Sequence, residues 1–159
     1  MINSATIHHA DGSHTCDINT STIPLRAFEV EVEQRTDHSR KKSQQHGVWP
    51  TLSYRDIMTI HMEGDIFGTS SADYFANRET LVLALFGTPG ALDTTNRRVG
   101  YLQLNFEGAT EDWKCDYTID AFTAPLAALS PSRSEFALTL IAWNPWFIGA
   151  SSGNKYFYS

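Results

Sequence analysis

The sequence predicts an α+β chain, mainly β, and three observations carry that reading. Residues 135–147, EFALTLIAWNPWF, form an apolar run with strand periodicity; several shorter runs alternate apolar with polar residues; and one stretch alone has helical spacing.

The closing run is the strand on which the others are expected to pair or pack. Phe136, Leu138, Leu140 and Ala142 fall on one face and Ala137, Thr139, Ile141 and Trp143 on the other, so a central position covered on both sides is expected. Asn144-Pro145 ends it, because proline has no N–H for the ladder, and Trp146-Phe147 follow just past the end.

From the start of the chain, residues 6–9 and 14–18 flank Ala10-Asp11-Gly12-Ser13, a turn sequence, so a hairpin over 6–18 is expected. Residues 24–33 set Phe28, Val30 and Val32 against Glu29, Glu31 and Glu33, a strand with an apolar face and an acidic one. Residues 34–47, QRTDHSRKKSQQHG, form a long polar loop. A further strand over 54–63 follows, then a turn at 64–68 permitted by Gly64 and Gly68. The period then changes: Ser70 to Asp73 read as a capping start, and Tyr74, Phe75, Arg78, Leu81, Val82, Leu85 and Phe86 define a stripe. One flanking helix over about 70–86 is predicted, with Tyr74, Phe75 and Phe86 in the core. Residues 99–106 and 113–121 alternate and are joined by the short segment 107–111, which reads as an antiparallel hairpin. Trp113, Cys115, Tyr117, Ile119 and Ala121 take its inner face. A short arm, 148–159, completes a single domain spanning 1–159.

Composition limits the function. A chain of 159 residues with 42% hydrophobic and 19% charged residues can build a core without staples, and its net charge of -6 argues against a surface that embraces nucleic acid or an anionic membrane. No run is long and apolar enough to span a bilayer, and the N-terminus lacks the pattern of a secretory signal, so membrane insertion is not expected and a cytoplasmic origin is. Cys16 and Cys115 have no CxxC spacing; reduced, buried thiols are the plain reading and pairing stays open.

Candidate chemistry is sparse. His8, His9, His14 and Cys16 form the one cluster with metal-ligating side chains, but no second ligand pair completes a zinc site; they are read as ordinary hairpin residues, with no metal and no cofactor expected. A small metal-binding enzyme built on them is the alternative from another class. His61 has no nucleophile motif nearby, Gly64 to Gly68 lack the lysine of a phosphate loop, and Asp116 and Asp120 stand about 13 Å apart at ~3.3 Å per residue, too far to share a proton. The chain is not read as an enzyme. Arg35, Arg40, Lys41 and Lys42 could touch phosphates as a nucleic-acid-binding module, though without interleaved aromatics, or could dock on the acidic face of another copy.

The order of elements, with Gly64-Asp65-Ile66-Phe67-Gly68 after a strand, Arg78 and Leu81 on the helix, Gly100-Tyr101-Leu102-Gln103-Leu104 in a hairpin, and the ending Ala142-Trp143-Asn144-Pro145-Trp146-Phe147, resembles the N-terminal domain of the distal tail proteins of long-tailed bacteriophages, relatives of tail-tube proteins. The resemblance covers roughly residues 20–150. It implies a split antiparallel β-barrel or sandwich with a flanking helix, a hexameric ring joining tail tube to tip or baseplate, and DNA passing through the lumen without specific binding. It also implies tube and tip or hub proteins as partners, and a place in the virion after assembly in the host cytoplasm. Glu29, Glu31, Glu33, Asp116 and Asp120 would then line the lumen, and Arg35, Arg40, Lys41 and Lys42 would contact a neighbouring subunit. Asn144 stands where the family usually has aspartate, and with only 148–159 remaining, the family's second, carbohydrate-binding-like domain and host-sugar binding are not expected. A major tail-tube protein or another tail ring protein shares the same pattern.

Overall fold

Phe136, Leu138, Leu140 and Ala142 all turn inward and are buried, which puts the strand that carries them in the middle of the molecule. The structure is a computed structural model that describes residues 1–36, 53–88, 100–126 and 132–156. Its elements are β1 (Ile2–His8), β2 (Thr15–Ile18), β3 (Leu25–Thr36), β4 (Ser53–Phe67), α1 (Ser71–Phe86), β5 (Gly100–Phe106), β6 (Trp113–Thr123), β7 (Arg133–Ala142), β8 (Phe147–Gly149) and β9 (Lys155–Tyr156).

The main path of the sheet runs β2-β1-β5-β6-β7-β4-β3, antiparallel throughout, with β8 on β6 and β9 on β8. The path does not close on itself: β2 and β3 stand at its two ends. β6 belongs to both halves. Residues 113–117 pair with β5 and residues 118–123 with β7, so the strand passes from one half-sheet to the other. The inner faces of both halves and of α1 join in one apolar cluster, where each fully buried aliphatic or aromatic side chain is worth roughly 1.5–3 kcal/mol.

The helix starts and stops where its caps dictate. Ser70 Oγ accepts from the Asp73 N–H at 3.2 Å, and the Asp73 carboxylate accepts from the Thr69 N–H at 2.7 Å. Gly87 ends it at φ 72, a left-handed conformation that suits glycine. One stripe, with Tyr74, Leu81, Ala84 and Leu85, is buried, and the Tyr74 hydroxyl donates to Ser134 Oγ at 2.7 Å, fastening the helix to β7.

Several expectations need correction. Phe75 and Phe86 are not core: they are 51% and 54% exposed, because they lie about a quarter turn away from the buried stripe and face out. Gly64 is not a turn residue. It lies inside β4 opposite Phe136 and Leu25, where a Cβ would come within 2.4 Å of the Pro24 carbonyl oxygen and 2.6 Å of the Phe136 ring; the missing side chain lets the strand continue to Phe67. Ala121 is exposed, since a bulge between Ile119 and Ala121 shifts the alternation and turns Phe122 inward opposite Leu138. β7 is central as expected, between β4 and β6, but only its inner face is covered: Ala137 is exposed on the other side and Trp143 is 65% exposed.

After the corner at residues 143–146 the chain returns to β6, and Phe147 is fully buried. Tyr156 stacks on Trp113 with ring centroids 4.7 Å apart. Glu111 clasps this hairpin: its carboxylate accepts from the N–H groups of Ser151 and Ser152, both at 2.9 Å, from the Tyr156 hydroxyl at 2.7 Å, and from Ser152 Oγ. These donors, with Ser152 first, hold its pKa down to about 2 from an ordinary 4.5. A depressed carboxylate pKa gives stability that is full above the ordinary value and is lost as pH falls from 4.5 towards 2. Glu111→Gln is therefore expected to reproduce at neutral pH the loosening that acid causes in the native chain. Amide exchange at Ser151 and Ser152 faster than in the native protein, with the core strands unchanged, would bear this out; unchanged exchange would refute it.

Candidate functional site

The four strands β3, β4, β7 and β6 present an outer face that nothing in the described chain covers. Cross-strand rows define it: Glu31, Thr59, Ile141 and Thr118 in one, Glu29, His61, Thr139 and Ala121 in the next. Glu29, Glu31 and Glu33 are exposed along β3 because the strand's strict alternation turns Phe28, Val30 and Val32 inward. Asp116 is exposed on β6 opposite Tyr101, and Asp120 is exposed at the bulge. The two acidic groups are thus not one patch. At ~4.8 Å per strand they lie about 14 Å apart across β4 and β7, with a hydroxyl-rich band between them, in which His61 Nδ1 and Thr139 Oγ1 lie 3.2 Å apart.

Two further carboxylates reach this face, Glu63 on β4 and Glu135 on β7. Both sit in the alternating patterns of their strands, so the signal was present, but only the pairing shows that they share a face with Glu29. At that end Arg26 bridges Glu135 at 3.0 Å and Asp65 at 3.5 Å, and Arg133 reaches Asp65 at 3.4 Å. Asp65 is nearly buried, so two guanidinium groups supply the counter-charge that burial demands.

The basic candidates are less defined. Arg35 lies on β3 opposite Tyr54, with its side chain outside the described part, and Arg40, Lys41 and Lys42 lie outside the described residues.

The histidine and cysteine cluster disperses. His8 stacks on Tyr101 with centroids 4.0 Å apart, His9 pairs with Asp11 at 2.8 Å, and His14 Nε2 meets Thr88 Oγ1 at 2.9 Å. Cys16 turns into the core, where burial pushes its thiol up to about 12. Burial also lowers the pKa of His8, with Lys114 adding to the effect. Among the described residues no three such side chains are grouped as a metal ion requires. Cys16 and Cys115 are free. The row Cys16, Ile7, Leu102, Cys115 places two strands between them, about 14 Å at ~4.8 Å per strand, beyond disulfide reach. No described helix is long and apolar enough to cross a membrane.

No protein-family model matches the sequence. No curated protein matches it either. The fold does match solved structures. A chain of the phage p2 baseplate in its activated conformation with strontium aligns at a TM-score of 0.59 and 11% identity, over 98% of this chain and 56% of that one. A chain of the same baseplate with calcium aligns at 0.57 and 12% identity, over 88% and 44%. The crystal structure of the SPP1 Dit protein also aligns, over 79% of this chain and 44% of that one, at 13% identity and a TM-score of 0.42. This chain spans about half the length of the two baseplate chains, with which it shares a fold.

Proposed function

We propose that this chain is a structural protein of a phage tail, that six copies join side by side in a ring at the distal end of the tail tube, and that DNA passes through the ring. The observation that carries this reading is the four-stranded unit β6-β7-β4-β3. Among the described residues its two lateral edges, β3 on one side and residues 118–123 of β6 on the other, have no further strand beside them. Edges of this kind are ordinarily paired or blunted. A unit with two different open edges can be continued head to tail, one kind of edge meeting the other, and such contacts generate rings when the rotation closes. The shared fold with two chains of a phage baseplate supports a place in a phage tail.

The outer face of this unit then lines the lumen. Glu29, Glu31 and Glu33 along β3, with Asp116 and Asp120 on β6, would repel the phosphates of passing DNA rather than hold them. Arg35, Arg40, Lys41 and Lys42 would reach a neighbouring copy, the tail-tube protein or a tip protein.

The test exchanges Glu29, Glu31 and Glu33 together for lysine. All three are exposed, so folding should survive, while the assembled variant should retain DNA at low salt and release it as salt rises. Phage carrying the variant should eject DNA more slowly. Ejection at the native rate, or salt-sensitive DNA binding by the native protein, would overturn the lumen assignment; a native protein that never enters the tail would overturn the function itself.

A further inference from the structure

The unit's two open edges differ in shape as well as in sequence. At the β6 edge, Phe122 turns inward at the bulge and meets Phe86 edge to face, with ring centroids 5.8 Å apart, yet Phe86 stays 54% exposed. Leu126 follows at 60% exposed, two residues after Ala124, whose carbonyl accepts from Arg78 Nη2 on the helix at 3.1 Å. The sequence explains the protrusion. The last part of α1, residues 81–86 (LVLALF), is apolar all round, and a helix segment of that kind calls for cover on more than one side. At the β3 edge lies the opposite shape: a groove of about 360 Å³ between Met1, Ile2 and Asn19 on one wall and residues 25–28 of β3 on the other.

The two features stand at the same height. Phe122 pairs with Leu138, Leu138 with Met62 and Met62 with Phe28, so one inward row crosses all four strands from the aromatic knob to the wall of the groove. Joining two copies edge to edge brings the knob of one to the groove of the next on the same side of the sheet.

The geometry points to a second copy of this chain as the occupant of the groove, with Phe86 and Leu126 of one copy seated beside Met1, Ile2 and Leu25 of its neighbour. The inference rests on the ring reading and adds to it which side chains set the contact and its direction. Knob and groove lie on opposite edges, so the contact is heterologous and cannot be satisfied within a simple two-fold dimer through either patch alone. Both surfaces carry apolar groups whose mutual burial removes them from water, and the one charged side chain of the groove lining, Arg26, is already paired with Glu135 and Asp65.

The test uses the full chain with two single variants, Leu126→Cys and Ala27→Cys. Leu126 is exposed and Ala27 only half-buried, so both should fold; the native Cys16 and Cys115 are buried and serve as an unreactive background. The two variants are mixed, treated with a short bismaleimide and read by mass, while light scattering follows the untreated native protein. The expected result is a product joining one variant to the other, little product within either variant alone, and a ladder of higher species when both cysteines share a chain. A companion variant, Phe86→Asp, should raise the concentration needed for assembly at least tenfold. Assembly with no mixed product, or with Leu126→Cys joined mainly to itself, would overturn this contact and leave the ring standing. A protein that remains a monomer at every concentration and yields no product would overturn the contact and remove the support for self-assembly as well.

Discussion

Phe136→Ala is expected to cost about 3–5 kcal/mol of folding stability, the range for emptying a buried aromatic position. Phe136 is 2% exposed on the inner face of β7, opposite Gly64 of β4, at the point where the central strands meet. Its ring fills the space that Gly64 leaves open, so the loss is a true cavity. Neither neighbour can collapse into it easily, because β4 and β7 are held by ten paired positions. At roughly 2–4 °C per kcal/mol for a chain of this size, the midpoint of thermal unfolding should fall by on the order of 10 °C. Denaturant unfolding gives the free energy directly, and a loss below about 1 kcal/mol would mean that the site is less tightly packed than its burial implies.

Gly64→Ala is expected to destabilise by about 1–3 kcal/mol or more, through overpacking. The added Cβ meets two different obstacles, the Pro24 carbonyl oxygen at 2.4 Å and the Phe136 ring at 2.6 Å. They respond differently. A ring can be trimmed, whereas a backbone carbonyl can move only with its strand. The double variant Gly64→Ala/Phe136→Leu should therefore lose less than the sum of the two single changes, yet remain less stable than Phe136→Leu alone. Strict additivity would show that the ring is not what the new methyl meets.

These two positions also mark where the sequence was legible. Wherever a pattern is local, it could be read: the alternation of Phe28, Val30 and Val32 with glutamates gave β3, Ser70 and Asp73 marked the helix start, and the glycine-containing turns at Gly12 and Gly108 lie between paired strands. The misreadings share a cause, which is that the deciding contact comes from far along the chain. Gly64 looks like a turn until Phe136 is placed beside it. Phe75 and Phe86 look like core until the sheet takes the other side of the helix. The bulge at Asp120 moves Ala121 out and Phe122 in, a change that no alternation count detects. The acidic candidates were each correctly expected to be exposed, but that β4 and β7 separate those of β3 from those of β6 is a property of strand order alone. The clasp by Glu111 has no sequence signature, since its partners lie forty residues or more away.

The order of the strands along the sheet also sets a timetable for making the protein. Of the described strands β1 is made first, yet it pairs with β5, and the ladder joins Ile2 to Phe106. At ribosomal rates of about 5–20 residues per second, β1 waits on the order of 5–20 s before that partner exists. During the wait, among the described strands, the short β2 alone can occupy one of its sides. The first half of the chain thus leaves the ribosome with an apolar strand edge open, and pairings of such long range are slow to form even once the partner is present. Productive yield should accordingly depend on how crowded the nascent chains are.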